Sequence, residues 1–454
     1  MSKLNLWQQD RIHLNALILG LVILVGALLR YVQLTRALNA SLDPDVIGYL
    51  TIARRIISGN FDFTEPGQAG LFTREPLHPL VLAFSLWISS PASGDVVARA
   101  TSSVISVFVI PATYLLARRL FDSSVALVAS LLVALNGILV ILSSRGLRED
   151  MVSLLLLVFL VSAYGLGNGR HAGRTSLNYL CSASILSVLL VVTRFEMLYV
   201  TIAVAALLLV HPSTHTLRDR LRSSMAIACS SLVGLIINMA IAYAAKVDPF
   251  GPSKAQASWM FWFEFSLDHS TSYIQQGIWI GMYEYLFGHH SIGRLLFLEV
   301  RGLKFLLENM NAIFMPYPIW NSTVFVDFYI FIITYVYKSY PFLATFPAMA
   351  YAGVAGLVHA LRRQEGRFIV LPLLLPTATY CFIYGIINVG DSIRFVAQFF
   401  PILFVTTSAL LLDVVRTASG SSCSAVRDEM KRSPLYLIGM AVALMAVALI
   451  LTCP

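Results

Sequence analysis

The chain has 454 residues, of which 57% are hydrophobic and only 12% are Asp, Glu, Lys or Arg. Soluble domains run at about 45–50% apolar and about 25% charged, so this composition, with a mean hydropathy of +0.76, excludes an ordinary soluble enzyme and points to a polytopic membrane protein. The formal net charge of +8 does not point to nucleic acid, because the excess arginine sits in short loops between apolar runs, where topology signals belong.

The first apolar run, 14–34, follows Lys3 and Arg11 and precedes no small-residue cleavage site, so it is read as a retained first span. Asp43-Pro44-Asp45 comes directly after it. Asp43 followed by proline fits an N-terminal cap and first-position proline. Asp45 and Tyr49 are four apart and share a helix face. Asp45 reads either as a functional carboxylate or as a complement to the helix dipole. Arg74-Glu75-Pro76 opens a short apolar stretch to Ser90 that suits an interfacial or partly inserted helix. Arg74 is either an interfacial anchor or a phosphate ligand, since guanidinium matches phosphate bidentately. His78, one turn further in, is either a satisfied interfacial histidine or a catalytic one.

Further spans are predicted over 100–119, 124–142, 151–167, 178–193, 197–211, 225–245, 341–361, 367–387, 395–413 and 435–453. Segments near 303–320 and 324–338 form one more helical pair or lie at the interface, as Lys304, Glu308, Asn311 and Asn321 argue. The total is therefore about 11 or 13 spans. Backbone hydrogen bonding in a bilayer then dictates an all-α fold. No internal repeat and no separate soluble domain is visible, so residues 1–454 read as a single transmembrane domain. The arginines of the alternate loops fall on one side if the N-terminus is cytoplasmic. Loops 35–99, 143–150, 194–196, 246–340 and 388–394 are then external.

Those external loops hold the chemistry. Arg145, Arg148, Glu149 and Asp150 crowd the second; Arg194 and Glu196 the third; Asp391 and Arg394 the last. Each cluster alone is explained by loop salt bridges and helix-dipole complements. Their placement on one side is explained better by a shared cavity lined by acids and phosphate-binding cations. Loop 246–340 is aromatic (Trp259, Trp262, Trp279 and neighbours), as membrane interfaces are, and such rings also suit sugar faces or isoprenoid tails. His289-His290 is a weak metal pair, because adjacent helical residues diverge and no third ligand is spaced nearby. Cys181, Cys229, Cys381, Cys423 and Cys453 form no CxxC pair and read as buried free thiols. No P-loop, GxSxG, HExxH or Rossmann fingerprint occurs.

Asp45…Tyr49…Ala53-Arg54, then Arg74-Glu75-Pro76-Leu77-His78, the exit Leu115–Phe121 and the acid Asp150 after Arg148-Glu149 resemble the GT-C class of glycosyltransferases. The nearest branch contains the lipid A aminoarabinose transferase and bacterial relatives of the protein O-mannosyltransferases. Arg394-Phe395…Pro401 resembles that branch's late span. The chain departs from it with Arg74 for Lys and Glu75 for the first Pro of a Lys-Pro-Pro-Leu-His stretch.

The resemblance implies transfer of a sugar from a polyprenyl-phosphate donor to a lipid, glycan or protein acceptor, with inversion, at the external face of an inner membrane. It implies Asp45 as base, with Glu149 and Asp150 positioning the acceptor or, Asp150 with Asp45, holding Mg or Mn. Tyr49, Arg54, Arg74, Glu75, His78, Arg148, Arg194 and Arg394 are the expected substrate contacts. A transporter or flippase of lipid-linked sugar, or a surface-glycan polymerase or ligase, is the alternative reading.

Overall fold

A computed structural model of the chain describes residues 3–64, 73–89, 94–167, 174–210, 216–246, 288, 290–313, 347–387 and 393–420. The predicted span 435–453, the apolar segment 324–338, the aromatic residues 259–285, His289, Asp391, Cys423 and Cys453 lie outside the described residues. Among the described residues there are fifteen helices and no strands; Thr64 and Thr73 form an isolated bridge. The protein is an all-α, multi-pass membrane protein.

The first helix, α1 (Lys3–Ala37), turns Leu17, Leu21, Leu24 and Leu28 outward. Its inward stripe, Ile18 and Val22, packs on α4 (Gly94–Leu120) and α5 (Ser123–Leu135). Outward leucines on a long apolar helix are what a lipid-facing surface requires. Among the described residues five helices are long and apolar enough to cross a membrane: α1, α4, α7 (Glu149–Gly167), α8 (Arg174–Thr193) and α10 (Leu217–Ala244).

The predicted span 124–142 is broken. Asn136 leaves the helical region (φ −64, ψ 122), caps the next short helix, α6 (Gly137–Ser143), and accepts from Leu139 N at 2.9 Å. A side-chain amide that replaces a backbone partner is a standard way to restart a helix. After α9 (Met197–Val210) and α10 come α11 (Ile292–Ile313), α12 (Pro347–Arg362) and α13 (Gln364–Ile387). Short α14 (Ile393–Ala397) and α15 (Phe400–Gly420) complete the series. The main apolar core is built from α4, α5, α7, α9, α13 and α15. Among the described cysteines, Cys181 and Cys229 are free but exposed, not buried as expected, and Cys381 is buried. They sit on outward faces of membrane helices, where a thiol meets lipid at little cost.

Between α1 and α4 lie α2 (Pro44–Ile57) and α3 (Leu77–Ile88), packed on each other and on α4. Val46, Tyr49, Leu50 and Ala53 of α2 meet Leu82, Ala83 and Leu86 of α3 in a small second core. That core includes Leu147 of the α6–α7 loop and so ties the first loop to the second.

The candidate active site

Asp43 ends up as the cap of α2, its Oδ1 accepting from Asp45 N at 3.0 Å. The cap fixes the first turn and aims the Asp45 carboxylate at two arginines. Arg74 Nη2 donates to Asp45 Oδ1 at 2.9 Å, and Arg394 Nη2 donates to Asp45 Oδ2 at 2.8 Å. Arg394 Nη1 donates to Asp43 Oδ2 at 3.0 Å. Arg74 is held in turn by its own backbone, since its N–H donates to Phe63 O at 2.9 Å. Its guanidinium lies 5.0 Å from the Tyr49 ring centre. Burial raises the Asp45 pKa, but Arg74 and Arg394 outweigh it and hold the carboxyl below its ordinary value. Burial pushes the Tyr49 phenol up to about 12.

Behind Tyr49 stands His78, edge-on to its ring at 4.8 Å between centres. His78 Nε2 lies 3.1 Å from Gly146 O. A carbonyl only accepts, so Nε2 carries the proton and Nδ1, which has no hydrogen-bond partner, is a bare acceptor. Burial lowers the His78 pKa to about 4, so the ring is neutral. Gly146 adopts φ +78, a left-handed conformation, and an added Cβ would meet Val46 Cγ1 at 3.1 Å. Only glycine turns the carbonyl toward His78 there without strain.

The 143–149 loop is clamped from α4. Arg99 Nη1 donates to Ser144 O at 2.9 Å, Ser103 Oγ to Ser143 O at 3.0 Å and Ser102 Oγ to Leu147 O at 3.2 Å. This rigid loop presents Arg148, whose Nη1 donates to Glu75 Oε2 at 2.5 Å and to Thr193 O at 3.3 Å. Burial works against the Arg148 cation, but Glu75 and the other nearby acids more than offset it and raise its pKa well above the ordinary value. Glu75 therefore neutralises Arg148 at the place where the resemblance would put proline.

Arg194 is 1% exposed. Its Nε lies 3.4 Å from Glu196 Oε2, and its Nη1 lies 3.8 Å from Glu149 Oε1. Its Nη1 also donates to Gln398 Oε1 at 3.3 Å. Arg194 lies over Tyr380 and Phe395, 5.6 and 5.5 Å from their centres, while Arg394 lies 4.9 Å from Phe395. Phe395 thus joins the two arginines. Glu149 Oε2 is buried with no hydrogen-bond partner.

The structure brings Asp45, Tyr49, Arg74, Glu75, His78, Arg148, Glu149, Arg194 and Arg394 to one end of the bundle. Two expected residues turn elsewhere. At 3.6 residues per turn Arg54 falls on the face of α2 opposite Asp45, and its guanidinium lies over Gly94. Asp150 points into the bundle, where its Oδ2 accepts from Ser102 Oγ at 3.0 Å. Asp150 and Asp45 therefore do not form a cation site. Among the described residues no three His, Cys, Asp or Glu gather to hold a metal ion, and both Asp45 oxygens are taken by arginine. Sequence reasoning missed Tyr380 and Gln398, polar residues deep in apolar runs, which was the available signal. It also gave Asp43 only half its role.

Comparison with known proteins gives the fold a name. The archaeal oligosaccharyltransferase AglB from Archaeoglobus fulgidus, in complex with an inhibitory peptide and a dolichol-phosphate, matches over 96% of this chain with a TM-score of 0.58 at 15% identity. The fold is that of the GT-C glycosyltransferases. The same enzyme with Zn and sulfate matches over 92% of the chain, with a TM-score of 0.53 at 16% identity. With a tethered acceptor peptide it matches over 96%, with a TM-score of 0.55 at 17% identity. The chain spans 55%, 52% and 54% of those chains, respectively. Residues 74–243 match the family model of dolichyl-phosphate-mannose-protein mannosyltransferases. That stretch of the GT-C fold runs from Arg74 through Arg148 and Arg194 and so contains much of the cluster. No curated protein sequence matches the chain.

Proposed function

We propose that the protein is a membrane glycosyltransferase that moves a sugar from a polyprenyl-phosphate carrier to a hydroxyl acceptor, with Asp45 as base. The observation that carries the reading is the Asp45 carboxylate held between Arg74 and Arg394, one guanidinium on each oxygen. Two arginines from distant parts of the chain, already fixed around one anion, suit a second anion of similar shape, a phosphate. The dolichol-phosphate bound to the archaeal oligosaccharyltransferase of the same fold and the mannosyltransferase family match support a lipid-phosphate donor.

In the reaction the acceptor oxygen attacks the anomeric carbon and passes its proton to Asp45. The anomeric C–O bond breaks on the opposite face, its electron pair going to the phosphate oxygen, so the configuration inverts. Arg74 and Arg394 stabilise the charge that collects on the phosphate. As they turn to it, Asp45 loses its cationic partners and becomes a stronger base. Arg148, already neutralised by Glu75, orients the pocket rather than carrying the main phosphate contact.

Asp45→Asn, reconstituted with polyprenyl-phosphate mannose and checked for folding, is expected to lower transfer by about 10²–10⁴-fold, the range for loss of a general base. Near wild-type transfer would remove Asp45 from that role. Arg74→Ala should weaken carrier binding, and unchanged affinity would take Arg74 out of the site.

A further inference from the structure

Arg394 meets two carboxylates at once. Its two terminal nitrogens donate to Asp43 Oδ2 at 3.0 Å and Asp45 Oδ2 at 2.8 Å. Two parallel N–H···O bonds from one guanidinium to two oxygens form the pattern that a single phosphate would satisfy. Here the two oxygens come from separate side chains, spaced by Pro44. The Arg394 and Asp43 side chains are 9% and 15% exposed, so the pair is largely withdrawn from solvent screening. Asp43 does not need its charge to cap α2, because its Oδ1 alone accepts from Asp45 N and an asparagine caps equally well. The second oxygen and the negative charge are therefore left over from the structural task, and both are spent on Arg394.

From this we infer that Asp43 is a positioning residue that competes with the carrier phosphate for Arg394 and so sets how readily the spent carrier leaves. The inference rests on the lipid-phosphate reading given above. Its chemistry follows from charge. The sugar-loaded carrier is a phosphodiester with one negative charge. Transfer leaves a phosphate monoester with up to two, while Asp45 has taken up the acceptor proton. The enzyme then holds its most strongly bound anion at the moment its own base is neutral. Among the described residues, Asp43 is the second carboxylate at Arg394 and can reclaim that guanidinium. Without it, release would wait for Asp45 to lose its proton.

The test is binding of undecaprenyl phosphate, a sugar-free carrier, to the full chain in nanodiscs. Asp43→Asn keeps the cap and removes the charge. It is expected to bind the carrier roughly three- to tenfold more tightly, the range for losing one competing ion pair. In steady-state transfer the same variant should lower kcat and KM together, as slow product release does. Asp43→Ser, also a capping residue, should behave alike, and both should melt near the wild type. Asp95→Asn removes the same charge from the exposed first turn of α4, away from Arg394, and should leave affinity within about twofold. A purely capping role for Asp43 predicts unchanged carrier affinity in Asp43→Asn, and that result, or weaker binding, overturns the inference while the function stands. Failure of the wild type to bind the carrier at all overturns the lipid-phosphate reading and the inference with it.

Discussion

Two buried arginine networks lie close together in this molecule and are built on opposite principles. Inside the bundle, Arg30 of α1 donates Nε to Ser106 Oγ at 2.8 Å and Nη1 to Gly26 O and Ala134 O at 3.1 and 3.2 Å. Its Nη2 reaches Val133 O at 3.4 Å. Ser102 of α4 then bridges to Asp150. Arg30 thus gathers the carbonyls left over where α5 breaks at Asn136, and each of its guanidinium nitrogens has an oxygen partner. At the end of the bundle, the cluster around Asp45 pairs arginine with carboxylate instead. It leaves buried acceptors over at His78 Nδ1 and Glu149 Oε2. Complete satisfaction by uncharged oxygens of the helices marks a joint. Arginine–carboxylate pairs with spare buried acceptors suit the ligand role proposed for that end.

The largest effect is expected at Arg30. Arg30→Ala removes the side-chain partner of Val133 O, Ala134 O and Ser106 Oγ and the cation facing Asp150 and should cost about 3–5 kcal/mol of stability, read as loss of folded protein in a thermal or denaturant assay. Asp45→Asn should instead remove activity with little effect on the melt. If Asp45→Asn unfolds the protein and Arg30→Ala merely slows it, the two roles are exchanged. Asp150→Ala removes one of the two acceptors of Ser102 and should cost about 1–3 kcal/mol while leaving carrier binding unchanged.

A pH series sharpens the contrast further. The His78 pKa is about 4 in the folded protein against an ordinary value of 6.5. As pH falls through 6.5 the unfolded chain takes up the proton first, so stability declines between pH 6.5 and 4. The loss should be on the order of 1–2 kcal/mol at pH 5. His78→Gln keeps a donor for Gly146 O and should remove that part of the slope; an unchanged slope assigns it to another group.

The smallest effect is expected at the opposite end of the bundle. There His359 Nε2 lies 2.9 Å from Asp413 Oδ2, Arg363 pairs with the same carboxylate, and Arg416 Nη2 meets Asp122 at 2.7 Å. Arg416 and Asp122 are 48% and 41% exposed, so Arg416→Ala should change stability by about 0–1 kcal/mol.

Much of the architecture was legible in the sequence. Apolar runs of membrane length follow from the cost of unpaired backbone in lipid, and the predicted spans 151–167, 178–193 and 197–211 agree closely with α7, α8 and α9. The cap at Asp43 and the shared face of Asp45 and Tyr49 follow from local geometry. The break at Asn136 was missed because a lone polar residue in an apolar run does not reveal whether it faces a neighbour or restarts the helix. Asp150 was read with Asp45 because both lie in loops of the same side. Spacing along the chain does not say which way a first-turn carboxylate points.

Hydrophobic length and charge placement are local properties, so the chain alone specifies a bundle of apolar helices with its scarce charges gathered in a few loops. Only the tertiary structure decided which charges meet. Arg394 and Asp45 are separated by most of the chain, and α3 to α6 lie between Glu75 and Arg148. Such pairings depend on how helices pack and where loops are pinned. Small differences in that packing distinguish the arginine–carboxylate cluster at Asp45 from the closed joint at Arg30.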